Sequence, residues 1–545
     1  MTEPINSLKK WLQDMTILIE KNVDPEPHHF VSFLNEPTLC VQIVDLINAM
    51  DESEIEDDRP YYSACIFAID ICVAQLQSAH ETGHKLAGKT LDLLMSRMAE
   101  AINSGKHSLS FWLPILNAFY DVHVELSPEL RDAYFELAGQ DDESGMEDDV
   151  DHLAAIRDMI TELSDMSVFD IAENFFAQSH AMPADFFSDL IVDLYSIEEG
   201  QDIALLALLH PKHDVRDTVI DTLEQLMDTI VLSSISLSRL QTIKNWYPPD
   251  YHDQFNRWIK IQRMKGVIFH KGEGLPIARL KASEVDGSGA QGVFIQVKEG
   301  RKNRLCGLLF KLGVGIKDAW VTPPISSSEV KKYYEDAFDD TVTLRDVDIS
   351  YLMLITGHFL AETISQGGMP DLHLLEMQEL MGLHFMPDII DMAATIESLS
   401  IQIAPFTPDV ILQSFKRSKS WLKNQSFTES WYMENANIDK LVNRCSSFVD
   451  GVKVCAIEEA IEAVFEHDME LHRERWLFHF LWVALWLKAH TRKNERLWQD
   501  SFIIAFAIHT ETPLQSIPVI QEMVRQSVFN SVETMTERRT HLNKE

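Results

Sequence analysis

The chain has 545 residues, more than one compact core holds, and 46% of them are apolar, so a chain too polar to fold is excluded. Acidic residues outnumber basic ones 85 to 47, and the formal net charge of −38 repels nucleic acid and anionic membrane over most of the surface. The six cysteines, Cys40, Cys65, Cys72, Cys306, Cys445 and Cys455, form no CxxC pair and no dense framework, which argues against a disulfide scaffold and a zinc finger and for reduced, buried thiols.

The N-terminal sequence Met-Thr-Glu-Pro enters an amphipathic pattern at once, without the basic start and apolar run of a secretory signal. Apolar residues then recur at helical spacing: Ile5, Leu8, Trp11, Leu12, Met15, Leu18 and Ile19, and later Leu91, Leu94, Met95, Met98 and Ile102. Asp51 to Arg59 has no apolar period and reads as a solvated loop. Residues 140–151 carry seven acids and no base, the pattern of a self-repelling linker or of a docking strip for a basic partner. After it come two helical stripes, Phe186, Phe187, Leu190, Ile191 and Leu194, and then Leu205, Leu206, Leu208 and Leu209.

The run His210-Pro211-Lys212-His213-Asp214-Val215-Arg216, continued by Val219, Ile220, Leu223 and Leu226, resembles the second helix of a HEAT repeat. The match covers about one repeat, residues 205–230, with no second copy at a fixed period. The resemblance implies an α-solenoid that binds other macromolecules on its concave face.

The character changes after Trp258. Between Arg257 and Lys317 there are thirteen Lys/Arg against four acids, so this one stretch is strongly positive in an acidic chain. Val293 to Val297 alternates as a strand does, a turn over 298–303 follows, and Leu305 to Phe310 returns, predicting a hairpin. Lys298, Arg301, Lys302 and Arg304 gather where that hairpin would present them, as a contact for phosphates or an acidic partner, or for the chain's own acidic helices. Gly287-Ser-Gly289-Ala-Gln-Gly292 fits GxGxxG in form, but a strand follows it where a dinucleotide fold needs a helix, so a turn is the better reading.

From Asp346 the helical pattern resumes. His358 with Glu362, His373 with Glu376, and Glu466, His467, Glu470 and His472 stand one turn apart, a spacing that metal sites use when a second helix converges on it. With 21 histidines and 85 acids such pairs also arise by accident, and neither an HExxH motif nor a nucleophile elbow is present. No catalytic residue, metal or cofactor is therefore assigned. The aromatic block Trp476, Phe478, Phe480, Trp482 and Trp486 reaches around most of a helix, which predicts burial. The short basic run from Lys416 to Lys423 reads as a solvated helix face.

The expected architecture is mainly α, an irregular array of helical hairpins, α-solenoid-like, with a small central β-hairpin unit. Its parts are an N-terminal helical domain 1–139, an acidic linker 140–151, a HEAT-like section 152–262, a basic β unit 263–325 and a C-terminal helical domain 326–545. The expected function is a non-catalytic cytoplasmic scaffold with a protein partner, no membrane, and nucleic acid as an alternative partner of the basic segment. A further alternative is an enzyme whose metal or phosphate site is assembled from distant helices.

Overall fold

A computed structural model describes residues 3–21, 38–55, 59–144, 152–337, 342–403, 406–433, 436–449, 452–489 and 495–542. Most of the acidic run 140–151 lies outside these residues, and its first part, to Ser144, continues a helix. The chain is mainly helical with a small β portion, and it forms two compact units. The first comprises residues Met1–Asp158 and Glu173–Phe186, the second Met159–Ala172 and Phe187–Glu545.

The first unit is built on α1 (Glu3–Glu20), α2 (Thr38–Ala49), α3 (Arg59–Glu81), α4 (Lys85–Asn103), α5 (Leu109–Asp121) and α6 (Pro128–Ser144). The apolar stripes point inward as their spacing requires: Leu8, Leu12 and Met15 of α1 and Leu91, Leu94, Met95, Met98 and Ile102 of α4 are buried in one core. Helix α3 is long and apolar enough to cross a bilayer by length and composition. Within the unit its Ala64, Cys65, Ala68, Ile69, Cys72 and Val73 are fully buried core residues. Cys72 lies against the equally buried Cys40 of α2, with their sulfurs 3.1 Å apart. Ser108 caps α5, its hydroxyl accepting from Phe111 N, and Glu52 in turn accepts from Ser108 N at 2.9 Å, so the acidic segment after α2 is tied to this unit at one end.

Asp70, on α3, is a half-buried carboxyl whose charged form is disfavoured. Burial, reinforced by Asp121, pushes it up to about 7 from an ordinary 3.8. Between pH 4 and pH 7 the folded protein therefore holds a proton that the unfolded chain has released, and stability falls as pH rises through this window. The full shift corresponds to about 4 kcal/mol, and residual contact with water reduces it to about 2 kcal/mol. Asp70→Asn is expected to stabilise the first unit by about 2 kcal/mol at pH 8 and to leave it nearly unchanged at pH 4. Denaturant unfolding at the two pH values measures this.

In the second unit the predicted hairpin is the centre of a five-stranded antiparallel sheet of order β4-β3-β2-β1-β5, formed by β1 (Ile277–Ala282), β2 (Ala290–Glu299), β3 (Lys302–Lys311), β4 (Gly315–Val321) and β5 (Arg345–Asp346). A two-residue turn, Gly300-Arg301, joins β2 to β3, and Gly300 takes φ 59° at the first turn position, where a residue with a side chain would be strained. Val293, Ile295 and Val297 share one face with their partners Leu308, Cys306 and Arg304. That face packs on the helices Ile349–Ser365 and Leu372–Met381, with Phe310 stacked on Phe359 at 5.1 Å. The other face is covered by the helix Ser327–Ala337, whose Tyr333 meets Trp320 at 5.4 Å. Gly307 lies under that indole: a methyl there would come within 2.2 Å of it.

The run resembling a HEAT repeat folds as a short helix Gln201–Ala204, a 3₁₀ segment Leu205–Leu209 and the helix His213–Leu226. Arg216 is buried and donates to the carbonyls of His210, Pro211 and Gly367. The aromatic block lies on the helix Arg473–Lys488, with Trp476, Phe478, Phe480, Trp482 and Trp486 all buried, and packs beside Glu495–His509. Its His479 is held neutral by burial, pushed down to about 3. The helical pattern after Asp346 is interrupted by a second hairpin, β6 (Ser446–Val449) with β7 (Val452–Cys455).

Candidate functional site

The strand register divides the four predicted cations. Lys298 near the end of β2, Arg301 in the turn and Lys302 at the start of β3 are exposed. Arg304 pairs with Val297 on the face that meets the helices, so its guanidinium turns under the hairpin. There Nε donates to Glu299 at 2.9 Å and Nη1 to Glu376 at 3.3 Å. Arg304 is thus an internal anchor, and three of the four cations remain at the surface.

Beneath the hairpin the anchor leads into a polar cluster that joins distant parts of the sequence. Glu376 and His373 project from the helix Leu372–Met381, one turn apart as their spacing predicts. Asp371 caps that helix: its carboxylate accepts from His373 N at 2.7 Å and lies 3.1 Å from His373 Nδ1. His373 Nε2 faces Asp170 Oδ1 at 3.1 Å and Glu376 Oε2 at 3.8 Å. Asp170 is itself fixed by a capping box, in which Ser167 N donates to Asp170 Oδ2 at 3.0 Å and Asp170 N donates to the Ser167 hydroxyl at 3.1 Å.

The electrostatics follow from burial and neighbours. Burial pushes the Glu376 carboxyl up to about 7, against the pull of His373 and Arg304 and with the push of Asp170 and Glu379. For Asp170 burial acts in the same sense, but hydrogen bonds from His373 and Ser167 outweigh it and hold the group below the usual carboxylate range. Cys306, buried beside these charges, has its thiol pushed up to about 12 by burial, which leaves it a packed and unreactive sulfur.

Of the other residues singled out at one-turn spacing, Glu466 and His467 are exposed, and the rest make contacts within the protein. His358 Nδ1 accepts from Ile390 N, its ring stacks on Phe478, and Glu362 accepts from Gly313 N at 2.9 Å. Glu470 binds Arg473 and Leu514 N, and His472 contacts the Asp468 carbonyl. Arg417, within the second basic run, forms a bidentate pair with the buried Asp500. In the glycine-rich loop Gly287 N donates to Ser430 O, Gly289 N to Asp286 O and Ala290 N to Asp286 Oδ1, while the carbonyls of Gly287 and Ser288 accept from Arg475. A phosphate cradle needs amides turned outward; this loop spends these amides on protein acceptors.

Asp170 and Asp371 are the members of the cluster that sequence reasoning missed. Both carry a local signal, Ser167-x-x-Asp170 as a capping box and Asp371 as an N-cap, but nothing local says that the two helix starts meet.

Two stretches of the chain match family models: residues 183–266 match the Y4lR second domain and residues 393–532 the Y4lR C-terminal helical domain. A protein of Sinorhizobium fredii (strain NBRC 101917 / NGR234), y4lR, described as uncharacterized, is 25% identical over 315 residues, which is 56% of this chain and 58% of that protein. No solved structure matches the chain. The hairpin and the His373–Glu376 pair both lie between the two stretches that match the family models.

Proposed function

We propose that the chain is a non-catalytic cytoplasmic scaffold whose helical surfaces, the HEAT-like segment among them, hold a protein partner, and whose hairpin tip makes a second contact with an acidic group of that partner. One observation carries the reading: Arg301 in a two-residue turn and Lys298 and Lys302 on the strand ends beside it stand exposed, and the base of the hairpin is anchored by Arg304 to Glu299 and Glu376. Cations on a fixed turn lose little freedom when a partner binds, so more of their attraction appears as affinity. The same three cations favour a second reading, contact with nucleic-acid phosphates, and the net charge of −38 weighs against a long polyanion.

Purification of the tagged full-length protein from its own cells, beside Lys298→Glu/Arg301→Glu/Lys302→Glu, tests this. The expected result is a protein partner whose recovery falls about ten-fold in the variant, an effect of about 1.4 kcal/mol, with the difference largest at low salt and the circular dichroism of the two proteins alike. A partner retained equally by both would remove the tip from the interface. Nucleic acid on the wild type alone would replace the first reading with the second.

A further inference from the structure

We propose that Cys40 and Cys72 form an oxidation site inside the first unit, where a peroxide converts the two thiols to a disulfide that clasps α2 to α3. Cys40 is the third residue of α2, Cys72 lies past the middle of α3, and both are free thiols. Both residues are fully buried, and their sulfurs lie 3.1 Å apart, about 1 Å beyond the roughly 2.05 Å of the bond itself. The two helices pack on each other within one core, so the remaining gap is a side-chain movement. The bond would tie together positions 32 residues apart in the chain, and a cross-link of that span removes conformational freedom from the unfolded state.

The chemistry balances with hydrogen peroxide as the oxidant. One cysteine, as its thiolate, attacks a peroxide oxygen, the O–O bond breaks, and sulfenic acid and water result. The second sulfur then attacks the sulfenic sulfur, the S–O bond breaks, and the hydroxyl leaves as a second water with the proton of the second thiol. Two thiols lose two electrons in total, and one peroxide is reduced to two waters. Burial decides when this happens. The hydrogen bond from Cys72 to Cys40, together with burial, pushes the Cys72 thiol well above its ordinary range, so the closed unit keeps the pair as unreactive thiols. Reaction therefore waits for local opening. Cys40 stands in the first turn of α2, and helix ends open more readily than helix middles. The pair is thus a slow clasp gated by the stability of the first unit: a loosened unit is oxidised sooner, and the bond then opposes further loosening.

The test treats the reduced full-length protein with hydrogen peroxide, in native buffer and at a denaturant concentration just below the unfolding transition, then blocks remaining thiols and maps the unreduced peptides by mass spectrometry. The expected product joins the peptides of Cys40 and Cys72, is lighter by two hydrogens and is cleaved by dithiothreitol. It should form at least about ten-fold faster near the transition than in native buffer. The oxidised protein should show the unfolding equilibrium of its first unit shifted toward the folded state by at least about ten-fold, reversed by reductant. Cys65→Ala, a change at an equally buried cysteine of the same helix, should keep the cross-link and the shift, whereas Cys40→Ala and Cys72→Ala should lose both. Absence of the linked peptide near the transition would overturn the proposal, and so would pairing of either cysteine with Cys65 instead. Sulfinic acid at Cys40 or Cys72 in place of the cross-link, equal rates under the two conditions, or a cross-linked protein no more stable than the reduced one would overturn it as well.

Discussion

Trp482→Ala is expected to destabilise the second unit by about 4 kcal/mol, the upper range for removal of a buried aromatic. Trp482 is fully buried, with its ring against Phe359 at 4.7 Å and Phe478 at 5.8 Å. Its indole N–H also begins a chain of hydrogen bonds: Trp482 Nε1 donates to Tyr351 Oη at 3.0 Å, Tyr351 Oη to Gln291 Oε1 at 2.6 Å, and Gln291 Nε2 to Ser283 O at 2.8 Å. The chain runs from the aromatic helix to the sheet through groups that are buried at nearly every step. Alanine removes both the ring and the donor. Trp482→Phe keeps most of the volume and loses the donor, and should cost about 1–2 kcal/mol. The midpoint of denaturant unfolding, with an unchanged slope, measures both; a loss below 1 kcal/mol in the alanine variant would contradict the packing described here.

The second large effect is at Arg239, whose side chain is 5% exposed. Its Nε and Nη2 donate to the two oxygens of Glu379 at 2.7 and 3.0 Å, and its guanidinium lies 4.6 Å from the centre of the Phe169 ring. This joins the helix Ser234–Trp246 to the helix that carries His373 and Glu376. Arg239→Ala leaves Glu379 without its fork of donors. Removal of one partner from a buried pair costs about 3–5 kcal/mol, and since Glu379 is 35% exposed the expected loss is about 3 kcal/mol. Arg239→Lys keeps the charge but not the planar fork, and should recover less than half of that loss. Full rescue by lysine would mean that charge alone, without the bidentate geometry, holds the two helices.

What was legible in the sequence was the local part. The stripe Leu8, Leu12 and Met15 faces the core, and so do Leu91, Leu94, Met95, Met98 and Ile102, because helical spacing alone decides which residues share a side. The same rule fails at the rim: Ile19 and Phe186 belong to stripes and are 38% and 37% exposed. The β2–β3 hairpin was visible from its alternation, whereas β1, with Arg279 and Lys281 on one face, has too little apolar character to stand out. The pairing of β6 with β7 was hidden by the surrounding helical pattern. At the site, the His373–Glu376 spacing was a real neighbour relation. The decisive contacts, Arg304 with Glu376 and His373 with Asp170, span 72 and 203 residues, and no local pattern encodes an approach over that distance. The cations at 298, 301, 302 and 304 looked alike in composition, and only register separates the anchor from the three at the surface.

That register has a consequence for how the hairpin tolerates change in length. Glu299 pairs with Lys302 across the Gly300-Arg301 turn, so the face on which every later β3 residue falls is set by the number of residues in the turn. One residue added or removed there would carry Arg304 to the side covered by Ser327–Ala337 and drive Leu305 toward Glu376, inverting charge and apolar surface along the whole strand. Two residues would restore the parity and alter only the reach of the tip. Length variation in homologous hairpins of this kind should therefore come in steps of two, or in single steps only where a bulge absorbs the odd residue.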